Sequence, residues 1–142
     1  MMNSVSLSAH LRERHDAVLD KLMTFLRLPS VNTDPAAYAQ GRADTRAFLV
    51  DWLKGTDVRV DGGKQPEVYG AWLGAPGAPT VIVYGHYDVK PPDPLELWKT
   101  PPFEATIPDG RLYARGASDL KGSTTIAIET VAVFLRYKNA AR

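Results

Sequence analysis

The chain contains no cysteine, which removes disulfides, thiolate metal sites and cysteine nucleophiles together. Any metal must therefore be held by histidine, aspartate or glutamate. Charge of either sign is not in excess: 17 basic residues face 16 acidic ones, for a formal net charge of +1. That balance gives no footprint for nucleic acid or an anionic membrane surface, so neither is expected as a partner. Long apolar runs are lacking as well. Nothing approaches the roughly 18 apolar residues of a membrane span, and Met1 to His15 has no signal-peptide core. A soluble, cytoplasmic protein acting on a small substrate is the expectation.

What is present fits one globular domain or part of one: 142 residues, 44% hydrophobic and 23% charged, with no repeat and no linker. Leu11, Val18, Leu19, Leu22, Phe25 and Leu26 recur at helical spacing, predicting a first helix capped by Ser8 and ended before Pro29. Pro35 opens a second helix, with Ala43, Ala47, Phe48 and Leu53 as its buried stripe and Gly55 as its stop. Asp57 to Asp61 and Glu67 to Leu73 read as a hairpin about Gly62-Gly63, and Gly74-Ala75-Pro76-Gly77 as a further turn.

Thr80-Val81-Ile82-Val83-Tyr84 is β-branched and apolar without alternation, which predicts a central strand buried on both faces. Six of the 11 prolines fall between residues 91 and 110, marking a structured loop that Trp98 and Phe103 are expected to anchor. Asp109-Gly110 signals a hairpin turn. After Gly122 a last helix carries Ile126, Ile128, Val131, Val133, Phe134 and Leu135 around much of its circumference. This order implies an α/β fold, a mixed sheet layered by helices.

Chemistry concentrates at two places. His86 and Asp88 lie two apart after the predicted central strand, so both emerge on one face while Tyr87 points away. Open α/β sheets build sites beyond the carboxyl ends of their strands. A ligating imidazole commonly donates its other N–H to a carboxylate, and Asp88 could take that role if the chain bends; a surface His beside a turn Asp is the plain alternative. The second place is Arg115-Gly116-Ala117-Ser118-Asp119-Leu120-Lys121-Gly122, an acidic residue in a glycine-bounded turn that opens a helix. Asp119 could bridge two cations there, or simply cap the helix.

A phosphate loop is excluded because Lys121-Gly122-Ser123 reverses the order that such a loop needs. His10 and His15, five apart on the first helix, stand roughly 140° apart around its axis and cannot share a metal.

Together, Gly85-His86-Tyr87-Asp88-Val89, Trp98, Pro101-Pro102-Phe103-Glu104, Asp109-Gly110-Arg111-Leu112-Tyr113 and the Arg115 to Gly122 run resemble the co-catalytic zinc exopeptidase family. That family includes aminoacylases, acetylornithine deacetylase, succinyl-diaminopimelate desuccinylase, bacterial carboxypeptidases and carnosinase-like dipeptidases. Pro91-Pro92-Asp93-Pro94-Leu95-Glu96-Leu97-Trp98 looks most like the dipeptidase branch, whereas Leu120 departs from the second Asp common there.

The resemblance implies metal-dependent hydrolysis of a peptide or N-acyl amide bond, with two Zn2+ ions, or Mn2+ or Co2+ in their place. It makes His86 a ligand of one zinc, Asp88 the residue that orients His86, and Asp119 the bridge between both metals, with a cis peptide after it. It further implies that the 142 residues are the N-terminal half of a catalytic domain. The general-base Glu, the remaining ligands, the rest of that domain and a lid that can support a homodimer would lie outside them. By this reading the chain alone is inactive and binds metal weakly, since it supplies two ligands where catalytic zinc needs about three. The alternatives are a non-catalytic fragment that binds a full-length relative, and a functionless gene remnant.

Overall fold

The computed structural model describes residues 4–34, 36–56, 58–61 and 66–140, the side chains of 4–6 and 137–140 excepted. Helix α1 spans Ser4–Arg27, α2 spans Ala39–Lys54 and α3 spans Gly122–Ala140. Strands β1, Arg59–Asp61, and β2, Tyr69–Ala71, pair antiparallel with Val60 opposite Gly70. The α/β character expected from the sequence is present, and among the described residues the sheet is this small pair.

Helix α1 begins earlier than expected. Ser8 is an exposed residue inside it, not its cap, because an outward-facing serine costs a helix only a few tenths of a kcal/mol, about 0.5. Pro35 and the Gly62-Gly63 turn lie outside the described residues. What is seen before α2 is an aspartate turn: the Ala37 N–H donates to the Asp34 carboxylate and the Tyr38 N–H to the Asp34 carbonyl. The buried stripe of α2 also differs from expectation. Gly41, Thr45, Leu49, Val50 and Trp52 face inward, while Ala43 and Ala47 are exposed. Trp52 and Leu49 bury far more apolar area than two alanines, so they set the rotation of the helix.

The core forms where α1 meets α2. Phe25, Leu49 and Trp52 are buried together, with Phe48, Val68, Tyr87 and Ile128 packed around them. Phe25 and Trp52 meet edge to face at 6.2 Å between ring centroids, a geometry aromatic quadrupoles favour. Glu129 of α3 closes the cluster. Its carboxylate accepts from Arg14 at 2.6 Å, from Trp52 Nε1 at 3.0 Å and from Lys21 at 3.5 Å, so three helices share one acid. Burial pushes this carboxyl up, but the hydrogen bonds from Arg14 and Trp52 and the positive charges outweigh it, and the net direction is downward.

The largest departure from expectation is at residues 80–84. Val81, Ile82, Val83 and Tyr84 are between 57% and 88% exposed, and among the described residues they make no ladder hydrogen bond. A strand is stabilised only by neighbours, unlike a helix, and the described residues supply none here. The later hairpin is likewise reduced to one residue pair, Thr106 with Tyr113, joined by hydrogen bonds of 3.1 and 2.8 Å. Its turn has the expected left-handed backbone, φ 53° at Asp109 and 73° at Gly110. Trp98 does anchor the proline loop, donating Nε1 to the Pro92 carbonyl at 2.6 Å beneath the Arg115 guanidinium.

Candidate active site

The segment after residue 84 is held by the chain that follows α1 and by α3. Val89 pairs in parallel with Val31, just beyond α1, and its N–H donates to the Ser30 carbonyl at 3.0 Å. The Ser30 hydroxyl donates to the Tyr87 carbonyl, and Thr124 Oγ1 of α3 to the His86 carbonyl at 3.4 Å. Tyr87 turns its ring into the core and donates its hydroxyl to the Pro66 carbonyl, as alternation from His86 and Asp88 requires. Burial raises its phenol pKa. At Gly85 a Cβ would stand 2.8 Å from Thr124 Oγ1, so the missing side chain is what lets α3 approach.

The Asp119 turn is wound differently. Gly116 adopts φ 87°, and a Cβ there would meet Val89 at 2.8 Å, so both its backbone and its surroundings require glycine. Residues Ala117–Lys121 form one wide turn, which the Lys121 N–H closes on the Gly116 carbonyl at 3.0 Å. Asp119 itself is extended, with φ −120° and ψ 96°, and the Asp119–Leu120 peptide is cis, as the resemblance implied; Asp93–Pro94 is cis too.

Lys121 is the anchor of this turn. It is fully buried, and its Nζ donates to the carbonyls of Phe25 at 2.9 Å and Leu28 at 2.7 Å, over the Phe25 ring. Burial lowers its pKa to about 7.

These two supports bring His86, Asp88 and Asp119 into one cleft of about 310 Å³, which Tyr84, Val89 and Lys90 also line. His86 Nδ1 lies 3.1 Å from Asp88 Oδ1 and 3.1 Å from the Asp88 carbonyl, so the chain does bend enough for the pair to meet. His86 Nε2 lies 3.4 Å from Asp119 Oδ1. In a tetrahedral zinc site, ligands about 2.1 Å from the metal stand ~3.4 Å from each other, the separation found here. The Asp119 carboxylate is 80% exposed, and no hydrogen bond from the first turn of α3 reaches it among the described residues. Its geometry is that of an open acceptor, not of a helix cap. Among the described residues no group of three or more His, Asp or Glu side chains is arranged to hold a metal ion.

His10 and His15 take no part. His15 is exposed beside Asp16, and His10 stays on α1. Two residues given no role in the sequence reading belong to the site's support: Asn32, which donates to Asp88 Oδ2, and Lys121, named there only as part of the Asp119 motif. The signal available for Asn32 was only its place three residues after Pro29, where a helix gives way to extended chain.

Residues 82–140 match the model of peptidase family M20/M25/M40. That stretch of the chain is similar to this family. The chain is 37% identical over 119 residues to succinyl-diaminopimelate desuccinylase of Methylococcus capsulatus, covering 81% of the chain and 28% of the relative. A desuccinylase of Stenotrophomonas maltophilia is 34% identical over 84% of the chain and 30% of its own length. Among solved structures, human carnosine dipeptidase 1 superposes with a TM-score of 0.77 at 28% identity, over 92% of this chain and 30% of that one. An M20 family metallo-carboxypeptidase of Sulfolobus solfataricus gives 0.67 at 31% identity, over 85% and 28%. The chain thus spans about 30% of the M20 relatives it matches. No helix among the described residues is long and apolar enough to cross a membrane.

Proposed function

We propose that this chain is the N-terminal part of the catalytic domain of a metal-dependent hydrolase that cleaves a peptide or N-acyl amide bond in small substrates, most like a dipeptidase. The observation that carries the reading is the spacing of 3.4 Å between His86 Nε2 and Asp119 Oδ1, in a cleft that also holds Asp88. Its fold likeness to a dipeptidase and its sequence likeness to desuccinylases, both of this family, support the same bond class.

In this reading His86 and Asp119 would hold a divalent cation, zinc or else manganese or cobalt. The Asp119 carboxylate, 80% exposed, would be shared with a second cation. The cations, when bound, supply Lewis acidity toward the scissile carbonyl and lower the pKa of water. Asp88 accepts the Nδ1–H of His86, which leaves Nε2 as the lone-pair donor and raises its basicity. Two ligands are fewer than the three or so that catalytic zinc requires, so these residues alone bind metal weakly. The groups that complete the site, among them a carboxylate to take the proton from water, belong to the rest of the catalytic domain.

The test is release of amino acids from dipeptides, N-succinyl and N-acetyl amino acids by the complete protein, before and after exhaustive chelation. Activity lost on chelation and restored by zinc, manganese or cobalt is the expected result. Undiminished turnover without metal rejects the proposal.

A further inference from the structure

The two supports of the cleft converge on one short piece of chain, residues 28–32, where α1 ends. The Leu28 carbonyl holds Lys121 and with it the Asp119 turn. Ser30 and Val31 hold Tyr87 and Val89 on either side of Asp88. Val31 is fully buried, so by alternation Ser30 and Asn32 both point to the opposite side of the extended chain from it. Asn32 then reaches the Asp88 side chain and donates its amide N–H to Oδ2, while Oδ1 lies 3.1 Å from His86 Nδ1. An ionised carboxylate only accepts, so the amide must present its NH2 group and not its oxygen.

We propose that Asn32 is a positioning residue, which acts through Asp88 to hold the His86 imidazole with Nδ1 protonated and Nε2 turned toward Asp119. A carboxylate's terminal torsion is broad and nearly two-fold, so it does not fix its own plane. The Asp88 side chain is 38% exposed, and water competes for both oxygens. A second donor on Oδ2 selects the one orientation in which Oδ1 faces the imidazole, and so relays order from the buried Val31–Val89 contact to the ligand atom. The inference rests on the function proposed above only in calling Nε2 a ligand; the tautomer itself requires no metal.

The experiment is multiple-bond proton–nitrogen NMR on this chain with 15N-labelled histidine, metal-free at pH 8.5, with His86 assigned through His86→Gln. The wild-type imidazole is expected as the Nδ1–H tautomer. Asn32→Ala and Asn32→Asp should convert His86 to a mixture with substantial Nε2–H, and Asn32→Gln, which retains the donor, should restore the wild-type pattern. Asn32→Asp preserves shape and removes the donor, so it decides the matter even if Asn32→Ala loses spectral dispersion. In the complete protein, zinc affinity should fall about tenfold or more in Asn32→Asp, the usual effect of losing a ligand's outer hydrogen bond. An unchanged tautomer in Asn32→Ala and Asn32→Asp, or an Nε2–H wild type, overturns the inference. A normal tautomer pattern in a protein whose activity needs no metal sinks the functional reading and leaves this one standing.

Discussion

The helical face and residues 80–84 are both apolar, yet one is a packed core and the other lies open to solvent. Phe25, Leu49 and Trp52 come from helices that satisfy their own backbone bonds and need only side-chain partners. Val81, Ile82 and Val83 are as apolar as any core residue, but a strand must also find ladder neighbours, and among the described residues it has none. Apolar composition therefore says what could be buried. Backbone pairing decides what is.

The sharpest way to test this contrast is to truncate one side of it. Phe25→Ala removes a fully buried ring that touches Phe48 and Trp52 and supports the Lys121 ammonium. A loss of about 3–5 kcal/mol is expected in urea denaturation; less than about 1 kcal/mol would mean that the three-helix contact does not hold the fold.

Glu129→Gln comes next. Arg14 and Lys21 then face a neutral amide, and a cost of about 2–3 kcal/mol at neutral pH is expected, below that of a fully buried pair because both cations retain some water. The sign of the pH dependence follows from the direction of the shift. The folded Glu129 carboxyl lies below its ordinary value of 4.5, so its stabilisation is complete above that value and is lost as pH falls through the lower folded one. Melting temperature measured from pH 6 downward should show a shallower acid limb in Glu129→Gln than in the wild type. Parallel limbs would remove Glu129 as the source.

Gly116→Ala follows at about 2 kcal/mol, from the left-handed φ of 87° and the 2.8 Å approach to Val89. Because Val89 also positions the His86 segment, the NMR signals of His86 should move in this variant. A shift confined to residues 115–118 would show that the two supports are independent.

How far the sequence could be read follows from the same physics. The helices were legible from periodicity, and the Asp109-Gly110 turn from its backbone demands. His86, Asp88 and Asp119 were singled out through the resemblance carried by the linked motifs, and the structure brings all three to one cleft. Asn32, Lys121 and Glu129 were not legible. Each acts across 56 or more positions of sequence, and neither a surface-type Asn nor a Lys or Glu in a helix-forming run announces such a partner. The predicted burial of residues 80–84 failed for the reason the helices succeeded: local pattern specifies a helix nearly completely, whereas a strand's environment is set by chain that local pattern does not contain.

The smallest effect on stability is expected at that strand. In Ile82→Lys the replaced side chain is 88% exposed, so denaturation midpoints should agree with the wild type to within about 0.5 kcal/mol. Association is where the substitution should act. An unpaired, uncharged, β-branched segment presents open edges that recruit other chains, and one lysine there is the device natural edge strands use against it. Sedimentation velocity at rising concentration should show the wild type forming larger species and Ile82→Lys remaining monomeric further up the series. A stability loss above about 2 kcal/mol would instead mean that residues 80–84 are already packed in solution, and that the contrast between the two apolar regions does not hold.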